Sequence, residues 1–323
     1  MVASCASLLA VLLPSVPGDV FTTADALRHG ATQRQLEWAV RSSQLHRLRR
    51  GVLCRADLWV AASPEERLVL GAQALALSRR GTSVVFSHRT AAALHGLPTG
   101  GIGDESVWVT VPPGARTGRE NGVVQQAAPL AADEVTVVRG LTCTTPGRTV
   151  ADCLRHLDAM LSVPIGDAAL RLGLLTGDAL DAAVARRRWP RATAASALVP
   201  LLDGRRESAV ESRSAVVMHR YDLPRPAVQL RIFDERGRFV GRPDFVWLEQ
   251  GVVGEADGLG KYDGDAGAVV AAERGRQARL QALGLVVVRW TEQQLYGDPP
   301  LLVQQLRAAL AAGRPGSFRG RVA

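Results

Sequence analysis

GRPDFVWLEQGVVGEADGLGKY, residues Gly241 to Tyr262, sets the acids Asp244, Glu255 and Asp257 within fourteen residues and carries Lys261, the single lysine of the chain, next to its end. Strand residues two apart share a face. Glu255 and Asp257 therefore point one way, with small Gly254 and Ala256 on the other face. Asp244 lies on the preceding strand, and a hairpin pairing brings its carboxylate towards that of Glu255. Outward from this stretch, RRESAVESRSAVVMHRYDLP predicts a helix ended by Pro224, and AVQLRIFDERGRFVGRPDFVW a hairpin turning at Glu235 to Gly237. AVVAAERGRQARLQALG predicts a helix closed by Gly284. LVVVRW follows as an apolar run of the kind a buried central strand carries. The order is α-β-β-β-α-β, with a last helix in LLVQQLRAALAAG after DPP.

Carboxylates held together repel one another, and a hard divalent cation resolves the conflict. Mg²⁺ takes oxygen ligands and keeps part of its water. Such an ion polarises a phosphodiester and lowers the pKa of an attacking water. Lys261 would add a compact charge for the developing phosphorane, a role that arginine fills poorly. Glu211 stands on the apolar side of the opening helix, with Ala215 and Met218 at i+4 and i+7. An acid there is costly unless it meets a cation or a polar site. The alternative is a hairpin that merely carries charge, with Asp257 a turn residue before Gly258.

RPDF, GEADG, the arginine-bearing helix and VVVRW, in this element order, resemble the PD-(D/E)xK nuclease superfamily, closest to the branch of very-short-patch repair endonucleases. The resemblance covers about residues 205–295. It implies a restriction-endonuclease-like fold, with Asp244 and Glu255 as metal ligands for Mg²⁺, Glu211 as the helix acid and Gln229 as a polar helper. The superfamily lysine belongs two residues after Glu255, where this chain has Asp257. Lys261 would have to reach back to replace it. Arg276 and Arg279 on the following helix would face phosphate with or without catalysis.

The N-terminal region reads as a winged helix-turn-helix over residues 1–60. TTADALRHG has Thr22 or Thr23 as N-cap and Gly30 as stop. In TQRQLEWAVRSSQ, Thr32 and Gln35 have capping-box spacing and Leu36, Ala39 and Val40 form one apolar face. LHRLRRGVLCR alternates around Gly51 as strand, turn and strand. Gln33 and Arg34 would meet base edges from the second helix, and Arg47, Arg49 and Arg50 would meet phosphates from the wing. Residues 61–200 read as a mixed α/β connecting domain. Helices begin after Ser63, at Ser87 and at Pro146, and strands lie in ESVWVTVP, GVVQQA and DEVTVVRGLTCTTP. His88 and His95 are expected to pack rather than to bind metal, since no third ligand is near. FTTADALRHGATQRQLEWAVRSSQLHRLRRGVLCR, SHRTAAALHGLP and GLTCTTPGRTVADCLR resemble the AbiEi family of type IV toxin–antitoxin antitoxins over about residues 8–160. That implies a winged-helix DNA binder that represses its operon and neutralises a toxin partner.

A formal charge of +8 favours a polyanionic partner, double-stranded DNA above all. Four cysteines without CxxC spacing fit a reducing compartment. The apolar N-terminal run lacks a basic n-region and is too short to span a membrane, so a cytoplasmic location is expected. With 5% aromatic residues there is little to stack RNA bases. Residues 201–323 form the expected nuclease-like domain of an α/β protein. Two functions follow from it: Mg²⁺-dependent DNA cleavage, or non-catalytic, antitoxin-like transcriptional regulation.

Overall fold

The structure is a computed structural model and describes residues 18–79, 84–100, 104–185, 192–258 and 266–323. The expectations for the first seventeen residues and for Lys261 lie outside them. The chain divides into two compact units, Met1–Cys153 and Leu154–Ala323.

The first unit opens with β1 (Val20–Thr22), α1 (Thr23–Arg28), α2 (Gln33–Arg41), β2 (Leu45–Arg49) and β3 (Val52–Arg55). Thr22 caps α1, and Thr32 caps α2 in the expected box. The Gln35 backbone N–H donates to Thr32 Oγ1 at 3.3 Å, and the Thr32 N–H donates to Gln35 Oε1 at 2.8 Å. Gly51, at φ +75°, makes the tight turn between β2 and β3. The strands form an antiparallel sheet of order β1-β3-β2. Leu36 and Ala39 of α2 close a small core with Phe21, Leu45 and Leu53. Helix, turn, helix and two-stranded wing thus occur in the order read from the sequence.

After α3 (Ala56–Ala61), α4 (Pro64–Ser78) packs against this small sheet and against a six-stranded mixed sheet. The latter holds β4 (Val85–Phe86), β5 (Val107–Val111), β6 (Gly118–Glu120), β7 (Val123–Ala127), β8 (Val135–Val138) and β9 (Leu141–Thr144), in the order β6-β7-β5-β4-β9-β8. Leu68 and Leu75 of α4, with α5 (His88–Leu94), cover it. Ser87 precedes α5 as expected, but its hydroxyl does not cap the helix; it hydrogen-bonds His88 Nδ1 at 2.9 Å. The two histidines have separate polar partners, as the packing reading requires. His88 lies tilted over Trp108 with ring centroids 4.7 Å apart, and His95 Nε2–H donates to the Thr144 carbonyl at 2.8 Å.

The boundary between the units falls within α6 (Pro146–His156), not at residue 200. The second unit begins with helices expected to belong to the connecting domain: α7 (Ala159–Arg171), α8 (Gly177–Ala185) and α9 (Ala192–Leu198). The first of them packs along α10 (Ala209–Arg220). There follow β10 (Ala227–Val228), β11 (Ile232–Asp234), β12 (Phe239–Gly241), β13 (Phe245–Trp247), β14 (Val252–Asp257), α11 (Ala266–Ala282), β15 (Val286–Thr291), α12 (Glu292–Gly297), α13 (Pro299–Ala312) and β16 (Gly320–Val322).

Five strands stand between α10 and α11 where the α-β-β-β-α-β order expects three, and the arrangement is corrected in two respects. The long hairpin expected over 227–247 is divided between two sheets. β10 and β13 join a four-stranded sheet of order β10-β13-β14-β15, while β11 and β12 join β16 in a second sheet. The division follows from Gln229, whose left-handed φ of +57° turns the chain out of β10, and from Pro243, which has no N–H for a ladder. β15, expected to be central, is instead an edge strand parallel to β14. Its residues Val286–Arg289 are half-buried. α10, α12 and α13 supply one core around Phe245, Trp247 and Trp290, whereas Leu280 of α11 and Leu283 just after it pack with Val246 and Val253 in another.

Candidate functional site

Register places the acids. β13 and β14 pair antiparallel with Phe245 opposite Gly254, so Asp244 comes opposite Glu255. Both follow the face of Val246 and Val253, as alternation requires. Asp244 Oδ2 accepts from the Ala256 backbone N–H at 2.8 Å, which ties the end of one strand to the next. Its Oδ1 accepts from Gln229 Nε2 at 3.2 Å. The same amide nitrogen donates to Glu211 Oε2 at 2.9 Å. Gln229 thus bridges two acids, and its strained backbone is held by a hydrogen bond from its N–H to the Asp244 carbonyl at 3.1 Å.

Glu211 is 4% exposed, on the apolar side of α10 as expected. Its carboxylate also accepts from the Glu207 N–H at 2.9 Å and from the Ser208 hydroxyl at 2.8 Å, at the positive end of the helix. Glu211, Gln229 and Asp244 therefore form one hydrogen-bonded group, beside the strand position of Glu255.

Two arginines meet the acids. Arg276 of α11 grips Glu255 with both guanidinium arms: Nη2 donates to Oε2 at 2.8 Å, and Nη1 lies 2.6 Å from Oε1. The sequence assigned Arg276 to phosphate, but the structure places it on an acid. Arg279 is exposed, as a phosphate contact requires. Arg289 was not singled out. It stands beside Glu255 in the parallel register of β14 and β15, and it forks onto Asp257 at 3.0 and 3.2 Å. Its Nη1 lies 3.6 Å from Glu255 Oε2. The signal was one charged residue in the otherwise apolar run VVVRW, where a lone cation needs an acid on a neighbouring strand.

Among the described residues, no three His, Cys, Asp or Glu side chains converge as a cage for an ion. Mg²⁺ does not require one, because its sites use one or two carboxylates with water and substrate phosphate. Asp244 and Glu255 supply hard oxygen donors, and a guanidinium already lies against Glu255. Both Asp244 oxygens accept hydrogen bonds and both Glu255 oxygens face Arg276, so the two acids are satisfied here without an ion.

In the first unit, Gln33 and Arg34 are exposed at the start of α2, where Gln33 Nε2 donates to Glu37 Oε1 at 2.9 Å. Arg47 and Arg50 are exposed on the wing. Arg49 is half-buried, and burial, with Arg79 nearby, pushes its pKa down. Among the described residues, none of Arg34, Arg47, Arg49 and Arg50 forms an ion pair with an acid. An anion at the wing would relieve the crowding of charge at Arg49.

Fold and site define a mixed α/β protein whose second unit gathers acids and arginines at the ends of a small sheet. The chain belongs to the same family as two proteins of Mycobacterium tuberculosis. These are the uncharacterized protein MT2308 of strain CDC 1551 / Oshkosh and the uncharacterized protein Rv2248 of strain ATCC 25618 / H37Rv. Each is 30% identical over 294 residues, covering 90% of this chain and 96% of the relative. No protein-family model matches the chain. No helix among the described residues is long and apolar enough to cross a membrane.

Proposed function

We propose that the protein binds double-stranded DNA and cleaves or nicks it with its second unit, using Mg²⁺. The observation that carries this reading is the hydrogen-bonded set of Glu211, Gln229 and Asp244 at the end of the strand pair that sets Asp244 opposite Glu255. Asp244 and Glu255 would hold the ion, which supplies a polarised phosphodiester and a more acidic attacking water. Gln229 fixes the Asp244 carboxylate and holds Glu211 beside it. Arg289 neutralises Asp257, which stands where the superfamily keeps its lysine. Arg47, Arg49 and Arg50 supply phosphate contacts, and Gln33 and Arg34 reach for bases.

A second reading has its own observation. Glu255 and Asp257 each carry a guanidinium fork, and an acid already neutralised attracts a cation weakly. In that reading the protein is a non-catalytic regulator of the antitoxin type, with DNA as target and a toxin as protein partner. Supercoiled plasmid incubated with Mg²⁺ separates the two. The wild type should convert it to nicked or linear DNA, whereas Asp244→Asn and Lys261→Ala should each leave it intact. Tight binding by the wild type without cleavage under any divalent metal removes the nuclease reading.

A further inference from the structure

The sheet of β11, β12 and β16 has two unlike faces. Ile232 and Val240 point inward and pack with Leu280 and Leu285. On the outer face Phe233 stands opposite Phe239 and Arg321, and Arg231, two residues before Phe233, shares their side. The two phenyl rings meet edge to face, with centroids 5.8 Å apart. The guanidinium carbon of Arg231 lies 5.3 Å from each ring centroid, a cation held over both rings. Phe239 nevertheless stays 54% exposed, and Arg231, Arg236 and Arg321 are exposed residues. The Arg321 guanidinium lies against the hairpin turn, where a Cβ on Gly237 would come within 2.6 Å of Nη2. Among the described residues no acid side chain pairs with Arg231, Arg236 or Arg321. Asp234 is taken by Arg238, whose Nε donates to it at 2.8 Å, and exposed Glu235 in the turn offsets one of the three charges.

We propose that this face holds an unpaired stretch of DNA, with one base stacked on Phe239 beside Phe233 and Arg231, and flanking phosphates on Arg236 and Arg321. An aromatic ring and a guanidinium plane both accept the flat face of a base. Inside a duplex each base is covered on both faces by its neighbours, so such a platform selects the single strand. Three arginines without acid partners fit a polyanion. An apolar protein surface laid on them would bury their charge without neutralising it, which is costly. The site needs no metal and uses none of the acids around Asp244. The choice of DNA over RNA rests on the proposed function, whereas the stacking face does not.

Fluorescence anisotropy of short labelled strands, with the full chain and no divalent metal, tests the platform. One strand is oligo-thymidylate, and the other carries the same phosphates on abasic sugars. The wild type should bind the thymidylate about tenfold tighter, the effect of one stacked base. Phe239→Leu, which keeps apolar bulk but loses the ring, should bring the two affinities together. Arg236→Gln combined with Arg321→Gln should weaken both strands alike. It should lower the slope of log affinity against log salt by about 1.4, from two phosphates on a single strand. Equal wild-type affinity for the two strands, binding of neither, or a thymidylate preference that survives Phe239→Leu overturns the platform. Should Phe239→Leu not fold, an Arg231→Gln variant with the full preference overturns it. Self-association of the wild type that Phe239→Leu abolishes, with no preference between the strands, would give the face to a second copy of the chain and overturn it too. Oligo-uridylate in ribose and deoxyribose forms tests the choice of DNA, which a tighter hold on the ribose form overturns. Plasmid nicking separates this site from the cleavage reading. A variant that nicks without any thymidylate preference sinks the platform alone, and a protein with the preference that never nicks sinks cleavage alone.

Discussion

Gly254 stands opposite Phe245 in the β13–β14 ladder and faces the second unit's aromatic core. A Cβ there would lie 2.6 Å from Trp290 Cη2 and 3.2 Å from Trp247 Cζ3. Trp290 cannot easily yield, since its Nε1–H donates to Ser214 Oγ at 2.8 Å and its ring stacks on Phe245. Gly254→Ala should therefore destabilise the protein by roughly 1–3 kcal/mol, the usual cost of overpacking a core. Urea unfolding followed by tryptophan fluorescence measures it, and an unchanged midpoint refutes the close approach. The same residue shows what the sequence disclosed. Gly254 and Ala256 opposite Glu255 and Asp257 were legible, because strand alternation is a local property. So was the register that sets Asp244 opposite Glu255, which needs only a short hairpin. The forks of Arg276 and Arg289 were not. Each depends on a register between elements, set by packing over distances at which sequence spacing carries no information.

At the scale of elements, capping boxes and turn glycines marked helix ends well, because a cap is chemistry among near neighbours. Sheet membership was less legible. VVVRW has the apolar run of a central strand, yet β15 lies at an edge, where α11 and α13 pack on it. Burial by helices gives the same sequence pattern as burial by neighbouring strands. The α5 end shows an element whose consequence is thermodynamic. His95 follows the helix, and burial pushes its pKa below the ordinary 6.5, opposed by the hydrogen bond to the Thr144 carbonyl. As pH falls below 6.5, the unfolded chain takes up a proton that the folded imidazole refuses. Stability is then fully present above the unfolded pKa and falls on acidification, by at most about 1.4 kcal/mol per pH unit for one group. His46, also lowered by burial, acts with the same sign. Thermal melts between about pH 7.5 and 5.5 should show the loss, and His95→Gln should reduce but not abolish it. A variant with the full wild-type pH dependence would show that the imidazole is not the titrating group.

At the scale of the whole molecule, a charge of +8 is carried almost wholly by arginine, and many arginines are used internally. Arg148, Arg206 and Arg213 are buried and paired with acids, and Arg276 and Arg289 serve the acid cluster. Net charge therefore overstates the surface available to DNA, and the wing is one place where cations stand exposed or crowded without an acid partner. Counterion release makes this quantitative. Each phosphate neutralised contributes about 0.9 to the slope of log affinity against log salt. Replacing Arg47, Arg49 and Arg50 together by Gln should lower that slope by about 3 if each meets one phosphate. The Asp244→Asn variant, with all three arginines intact, should keep the wild-type slope. Fluorescence anisotropy of a labelled duplex over a series of salt concentrations gives both values. Equal slopes for the triple variant and the wild type would remove the wing from DNA binding. That result would leave the second unit's arginines, Arg279 first, to account for any affinity that remains.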